Sequence, residues 1–273
     1  MKRILFACIM LLGAMQVWAT GQDADIIYLY GEKWWLLSRP LDNVRDVKAR
    51  LALALPEARR KTTANPDGIT CIWSVQGTRL QLDSVAVIVG NNLLTYPAIG
   101  LKDQFEKYYR QNRIDASWVN GQLRAARGKQ LYYEHTGYNR NYTSEIYITF
   151  KHGKMNGMKT FNNSVRTEGF DLTNGKVMQA LQDGMNAQEF SELRGARVLA
   201  KVSDMEIDDK GQLTDCKVAI TMRKNGYTSE LTKHPLEERV KTALKNLSPW
   251  RTLNINGAVV IPHSVFYFPI TVD

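Results

Sequence analysis

The stretch "NLSPWRTLNINGAVVIPHSVFYFPITVD", residues 246–273, carries the pattern on which the fold prediction depends. Apolar residues alternate with others from Val259 to Val272, which is the period of a strand with one buried face. Pro262 and Pro269 lack the N–H group that a central strand donates, so both indicate a sheet edge. The stretch therefore predicts a terminal edge strand, which could form the rim of an active site or pair with another protein.

The elements before this strand complete a small α+β pattern. Two alternating runs, 197–207 and 213–223, flank a turn at 208–211 and predict an antiparallel pair. A helix is predicted from Pro235 to Leu247, because proline suits the first helical turn and an apolar stripe follows it. Its members are Leu236, Val240, Ala243, Leu244 and Leu247. The order strand, turn, strand, helix, strand defines a C-terminal domain at 171–273.

These residues resemble a known family. The runs "MEIDDKGQLTDCKV" (205–218), "LEERVKTALKNLSPW" (236–250) and "INGAVVIPHSVFYFPITV" (255–272) are similar to the C-terminal domain of TonB, the energy transducer of outer-membrane transporters. The resemblance implies a three-stranded antiparallel sheet with a helix packed on one face. It also implies that a short peptide segment of a transporter or another envelope protein is added as a strand to the sheet edge.

On this resemblance, the docking edge is the alternating C-terminal run. The residues predicted to form it are Val260, Ser264, Phe266, Phe268 and Ile270. Proline is sparse, and the long Pro-rich spacer of the family is not seen in the sequence. The resemblance therefore implies peptide docking, whereas the missing spacer argues against force transmission. Trp250 is interpreted as a packing anchor.

Residues 20–170 form a second, sheet-rich domain, which resembles only uncharacterised secreted bacterial proteins. Most of its segments alternate, and Gln76-Gly77 predicts a tight hairpin between 69–75 and 78–89. Val44, Val47, Leu51 and Leu55 predict an amphipathic helix over 43–55 that ends at Pro56. The overall expectation is an α+β protein of two domains, at about 100 to 200 residues per domain.

The first 19 residues predict export to the periplasm, the cell envelope or the exterior. Lys2 and Arg3 precede an apolar run and the small residue Ala19, which is the order of a cleaved secretory signal. Cleavage lowers the net charge from +9 to +7, because Lys2 and Arg3 leave. No later stretch is long and apolar enough for a membrane span. Export makes anionic glycans or acidic proteins the expected partners of this basic chain, in preference to nucleic acid.

Aromatic residues of the N-terminal domain support an alternative function, binding of an anionic glycan or cell-wall polymer. Aromatic faces beside cations can stack on sugars. The candidate contacts are Trp34, Trp35, Tyr138, Arg140 and Tyr142. Strand alternation turns one of the two adjacent tryptophans outward.

Catalytic and metal-binding motifs are not found in the sequence. His135, His152, His234 and His263 have no metal-ligand spacing, and no nucleophile motif or nucleotide fingerprint occurs. Asp204, Glu206, Asp208 and Asp215 mimic a calcium loop, but Asp209 occupies its glycine position, so a plain hairpin turn is predicted. Cys71 and Cys216 are predicted to face inward as separate thiols. We expect a non-catalytic protein without cofactor or metal, with an unrecognised hydrolase as a third possibility.

Overall fold

The computed structural model describes residues 21–172, 175–183, 187–262 and 265–270. The predicted signal segment and the predicted docking residue Ser264 lie outside these ranges. The fold is α+β and rich in sheet, as the sequence predicts. The chain divides into two units, Met1–Asn162 and Asn163–Asp273.

The first unit contains ten strands and one α-helix in its described part. They are β1 Asp25–Leu29, β2 Glu32–Leu36, α1 Arg45–Ala54, β3 Thr70–Gln76, β4 Arg79–Val89, β5 Asn92–Pro97, β6 Tyr109–Arg110, β7 Arg113–Asp115, β8 Gly121–Tyr133, β9 Arg140–Lys151 and β10 Lys154–Asn162.

These strands form one sheet in the order β10-β9-β8-β2-β1-β3-β4-β7-β6, with β5 added to β4. Among these described strands, β1 and β3 run parallel and the other pairs run antiparallel. Lys154 of β10 also pairs with Arg79 of β4, so the strands from β10 to β4 form a closed circuit. The predicted hairpin between β3 and β4 is confirmed, but its two-residue link is Gly77-Thr78, with φ +60° at Gly77.

The core of the first unit combines sheet side chains with the apolar stripe of α1. Val47 and Leu51 of α1 are buried together with Trp73 of β3. Trp118 packs edge-on against Trp73 at 6.2 Å, and its Nε1–H donates to the Pro40 carbonyl at 2.9 Å. The partly buried Trp118 indole therefore has its N–H group satisfied.

The second unit contains seven strands and two α-helices in its described part. They are β11 Ser164–Thr167, α2 Gly175–Asp183, β12 Arg197–Ile207, β13 Leu213–Lys224, β14 Tyr227–Leu231, α3 Pro235–Lys245, β15 Thr252–Ile255, β16 Ala258–Val260 and β17 Val265–Ile270.

Two sheets form in the second unit. One has the order β14-β13-β12-β17 and the other the order β11-β15-β16. The first sheet has four strands where three were predicted, because a two-residue turn at Asn225-Gly226 returns the chain as β14. The single strand predicted from Val259 to Val272 is wrong, since β16 and β17 belong to different sheets.

Helix α3 covers one face of the four-stranded sheet. Leu236, Val240 and Leu244 are fully buried in the core of this unit. The helix begins at Pro235, as predicted, and the His234 imidazole accepts the Leu236 N–H at 3.2 Å. Trp250 is buried beyond the helix and donates to the Leu244 carbonyl at 3.3 Å, which confirms its packing role.

Candidate docking site

Strand β17 lies at the edge of the four-stranded sheet. Among the strands that the structure describes, it pairs with β12 alone, from Ser203–Val265 to Val198–Ile270. Phe268 and Ile270 are buried in the core, whereas Tyr267 on the opposite face has 57% of its surface exposed. One face of β17 therefore anchors the strand while the other face reaches solvent.

The turn that closes the β13–β14 hairpin determines which backbone groups of β17 point outward. Its central residues, Asn225 and Gly226, have φ of +53° and +83°, as in a type I′ turn, so Lys224 and Tyr227 form a hydrogen-bonded pair. Along a strand, successive residues direct their backbone N–H and C=O groups to opposite sides. The register pairs of β13 with β12 and of β12 with β17 therefore assign these directions residue by residue as far as β17. On β17 the residues that direct their backbone groups away from β12 are Val265, Tyr267 and Pro269.

Pro269 supports the same assignment. Proline has no N–H group to donate to a ladder, and it is tolerated where that group would face solvent. The outer edge of β17 then offers the N–H groups of Val265 and Tyr267 and the carbonyls of all three residues. A partner strand requires such groups.

The side chains predicted to form one docking edge lie in two sheets, and some of them are in the core. Phe268 and Ile270 are core residues, and Phe266 is partly buried beside Phe268, with ring centroids 6.2 Å apart. Val260 lies on β16, at the edge of the three-stranded sheet. Phe266, Phe268 and Ile270 therefore hold β17 in place through their side chains, and the backbone of β17 forms the edge.

A groove of about 540 Å³ borders this edge on the sheet face opposite α3. Leu199 and Pro269 contribute its apolar walls, and Arg197 and Arg223 line its polar side. Strand β14 is the other edge of the same sheet, and its Thr228 also lines the groove. The sequence did not indicate this groove, because its residues come from four strands.

The adjacent tryptophans of the first unit have different environments. Trp34 is buried, with the Arg127 guanidinium 4.3 Å above its ring. Trp35 points outward with 42% of its surface exposed, and Lys33 Nζ lies 4.8 Å from its ring. Trp35 is thus available to a ligand, whereas Trp34 is part of the core.

The predicted contacts Tyr138, Arg140 and Tyr142 are partly buried and bonded within the first unit. The Tyr138 hydroxyl donates to the Asp23 carbonyl at 3.3 Å, and Arg140 donates to the Gln22 carbonyl at 2.6 Å. The Tyr142 N–H donates to the Glu145 carboxylate at 3.0 Å. The first two contacts hold the chain around Gln22 and Asp23, and Trp35 is the most exposed of the five predicted glycan contacts.

A buried carboxyl group in the first unit was missed by the sequence reasoning. Asp25 accepts the Cys71 N–H and the Trp73 Nε1–H, each at 3.0 Å. Burial raises the pKa of Asp25 to about 7, although these two hydrogen bonds oppose the shift. Burial also raises the pKa of the Cys71 thiol, which makes it a poor nucleophile.

The acidic residues around the turn at 208–211 have local partners. Asp208 accepts the N–H groups of Lys210 and Gln212 at 2.8 Å, which is the bonding of an Asx turn. Asp204 pairs with Lys217, and Asp215 lies 3.7 Å from Lys245. In the described part of the chain, no group of three or more His, Cys, Asp or Glu side chains could hold a metal ion. Cys71 and Cys216 are free thiols.

Comparison with known proteins finds no matching family model, curated protein or solved structure. None of the helices in the described ranges is long and apolar enough to cross a membrane.

Proposed function

We propose that this protein is an exported, non-catalytic envelope protein that docks an extended segment of another envelope protein beside β17. One observation carries the proposal: β17 is anchored by its core side chains while one side of its backbone lacks a partner strand among the described residues. The TonB-like sequence features make a segment of an outer-membrane transporter one candidate partner. Strand addition would satisfy the outward N–H and carbonyl groups of Val265 and Tyr267.

The test begins with site-specific photo-crosslinking at position 267 in cells that export the full chain. We expect crosslinks to one extended segment of a partner, and a synthetic peptide of that segment should bind the purified protein. Tyr267→Pro removes an outward N–H group, whereas Tyr267→Ala removes the same side chain and keeps the donor. Loss of peptide binding in Tyr267→Pro alone supports docking through the backbone.

Equal peptide binding by the two variants would overturn the proposal. The test does not use truncation of β17, because its removal would also take Phe268 and Ile270 out of the core.

A second candidate function, binding of an anionic glycan or cell-wall polymer, is favoured by the exposed Trp35 beside Lys33. The experiment is co-sedimentation of the full chain with purified cell-wall polymer. Trp35→Ala should reduce the bound fraction. Tyr227→Ala, which removes an exposed aromatic residue from the second unit, is the control. Equal binding by both variants would exclude Trp35 as the contact.

A further inference from the structure

Two arginines lie directly opposite each other on the open face of the four-stranded sheet. Arg197 of β12 and Arg223 of β13 are register partners, both are exposed, and both line the groove beside β17. Directly opposite residues of an antiparallel pair have Cβ atoms about 5 Å apart, and like charges at this distance repel. In the part of the chain that the structure describes, this pair of positive charges has no acidic register partner opposite it.

Several other cations of this unit have acidic neighbours. Lys217 pairs with Asp204, Arg166 with Asp209, and Arg251 with Asp171. No carboxylate in the described ranges lies within ion-pair distance of Arg197 or Arg223. In the described register, Glu230 of β14 lies opposite Thr221 and therefore diagonal to Arg223. Glu230 and Arg223 form no ion pair.

The neighbouring residues restrict the chemistry of an occupant. Leu199 and Pro269 form an apolar surface next to the arginine pair. An occupant must therefore place an anionic group over Arg197 and Arg223 and apolar groups over this surface. A carboxylate suits the two guanidinium groups, because each can donate charge-assisted hydrogen bonds to its oxygens.

We infer that the occupant is an extended acidic segment of a partner protein, in which a Glu or Asp side chain alternates with apolar residues. This inference rests on the proposed docking at β17, whose Pro269 lines the same groove. A strand added to β17 presents alternate side chains to the sheet face that carries the arginines. It lies two strand spacings, about 10 Å, from β12, a gap that the long Arg197 side chain can span, with Arg223 one strand further away. The arginine pair would then select acidic segments over neutral or basic ones.

The test uses the full chain and a fluorescent peptide with both ends capped, in which valine alternates with glutamate. Matched peptides carry glutamine or lysine instead of glutamate. We expect the glutamate peptide to bind most tightly, with an affinity that falls as salt rises. Arg197→Gln and Arg223→Gln should each weaken its binding about threefold and together about tenfold, as exposed ion pairs allow. Lys245→Gln removes the same charge beside Asp215 and should change nothing.

Four outcomes would overturn the inference. If the three peptides bind alike and Tyr267→Pro weakens all of them, docking at β17 stands and the charge selection is wrong. If no peptide binds, acidic selection fails, while the crosslinking experiment still decides docking. If a fatty acid binds in the groove and does not displace the fluorescent peptide from β17, the occupant is a lipid. If Arg197→Gln abolishes self-association of the free chain, the occupant is a second copy.

Discussion

Phe268 of β17 lies opposite Ala200 of β12, and both side chains are buried, whereas its neighbour Tyr267 faces solvent. This alternation separates the two roles of the last strand. The inward residues fix its position on the sheet, and the outward backbone groups of the same strand lie on the side away from β12. A rigid edge loses little conformational entropy when a partner strand pairs with it.

Phe268→Ala should destabilise the second unit by about 3–5 kcal/mol, because it leaves a cavity in a packed core. Tyr267→Ala should change stability by about 0.5 kcal/mol or less, since this side chain is mostly in solvent. Chemical unfolding of the full chain measures both. A similar cost for the two variants would contradict the assignment of the two faces.

Trp250→Ala should cost about 3–5 kcal/mol, because the indole is almost fully buried and packs 6.1 Å from Phe170. Trp35→Ala is the matched control in the first unit, and we expect about 0.5 kcal/mol or less for this half-exposed residue. Thermal unfolding of the two variants compares them. Equal effects would show that Trp250 is not a structural anchor.

Arg223→Glu should stabilise the free protein by about 0.2–1 kcal/mol, because it places an opposite charge beside Arg197. Arg223→Gln should give a smaller gain, since it only removes repulsion. Chemical unfolding at low and high salt provides the measurement, and the gain should shrink as salt screens the charges. A loss of stability in both variants would mean that the arginine pair has a structural role.

Asp25 should make the stability of the first unit fall as pH rises from about 4 to 7. Its pKa is about 7 in the folded protein and 3.8 in the reference state, so across this window the folded protein keeps a proton that the unfolded chain releases. The stabilisation is complete below the unfolded pKa and is lost as pH rises through the folded pKa. The loss is on the order of 3 kcal/mol.

The Asp25→Asn variant tests this pH dependence through unfolding free energies at several pH values. It should lose stability overall, because an amide cannot accept both N–H donors with its single oxygen. Its stability should nevertheless vary less between pH 4 and 7 than that of the parent. Asp23→Asn, which changes a nearby exposed carboxylate, should keep the parental slope. An unchanged slope in Asp25→Asn would exclude Asp25 as the titrating group.

The sequence predicted those parts of the fold that local pattern determines. Helix α3 has its proline at the first turn and its apolar stripe, and both α1 and the β3–β4 hairpin were likewise recognised. The run from Val259 to Val272 was predicted as one strand because its alternation continues through Ile261 and Pro262. The period of a sequence does not show that β16 and β17 join different sheets.

The contacts that form the candidate sites come from residues far apart in the chain. Asp25 meets Cys71 and Trp73 only because β1 pairs with β3. Arg197 and Arg223 become neighbours only through the register of β12 and β13. Composition and spacing do not contain such pairings, so neither the buried carboxyl group nor the arginine pair was predicted.

Residue-resolved amide hydrogen exchange of β17 in the free protein tests the central claim most directly. We predict fast exchange at Val265 and Tyr267, whose N–H groups point away from β12, and slow exchange at Phe266 and Phe268, whose N–H groups bond to it. Equal protection of all four amides, or slow exchange at Tyr267 with fast exchange at Phe268, would contradict an open edge at this strand.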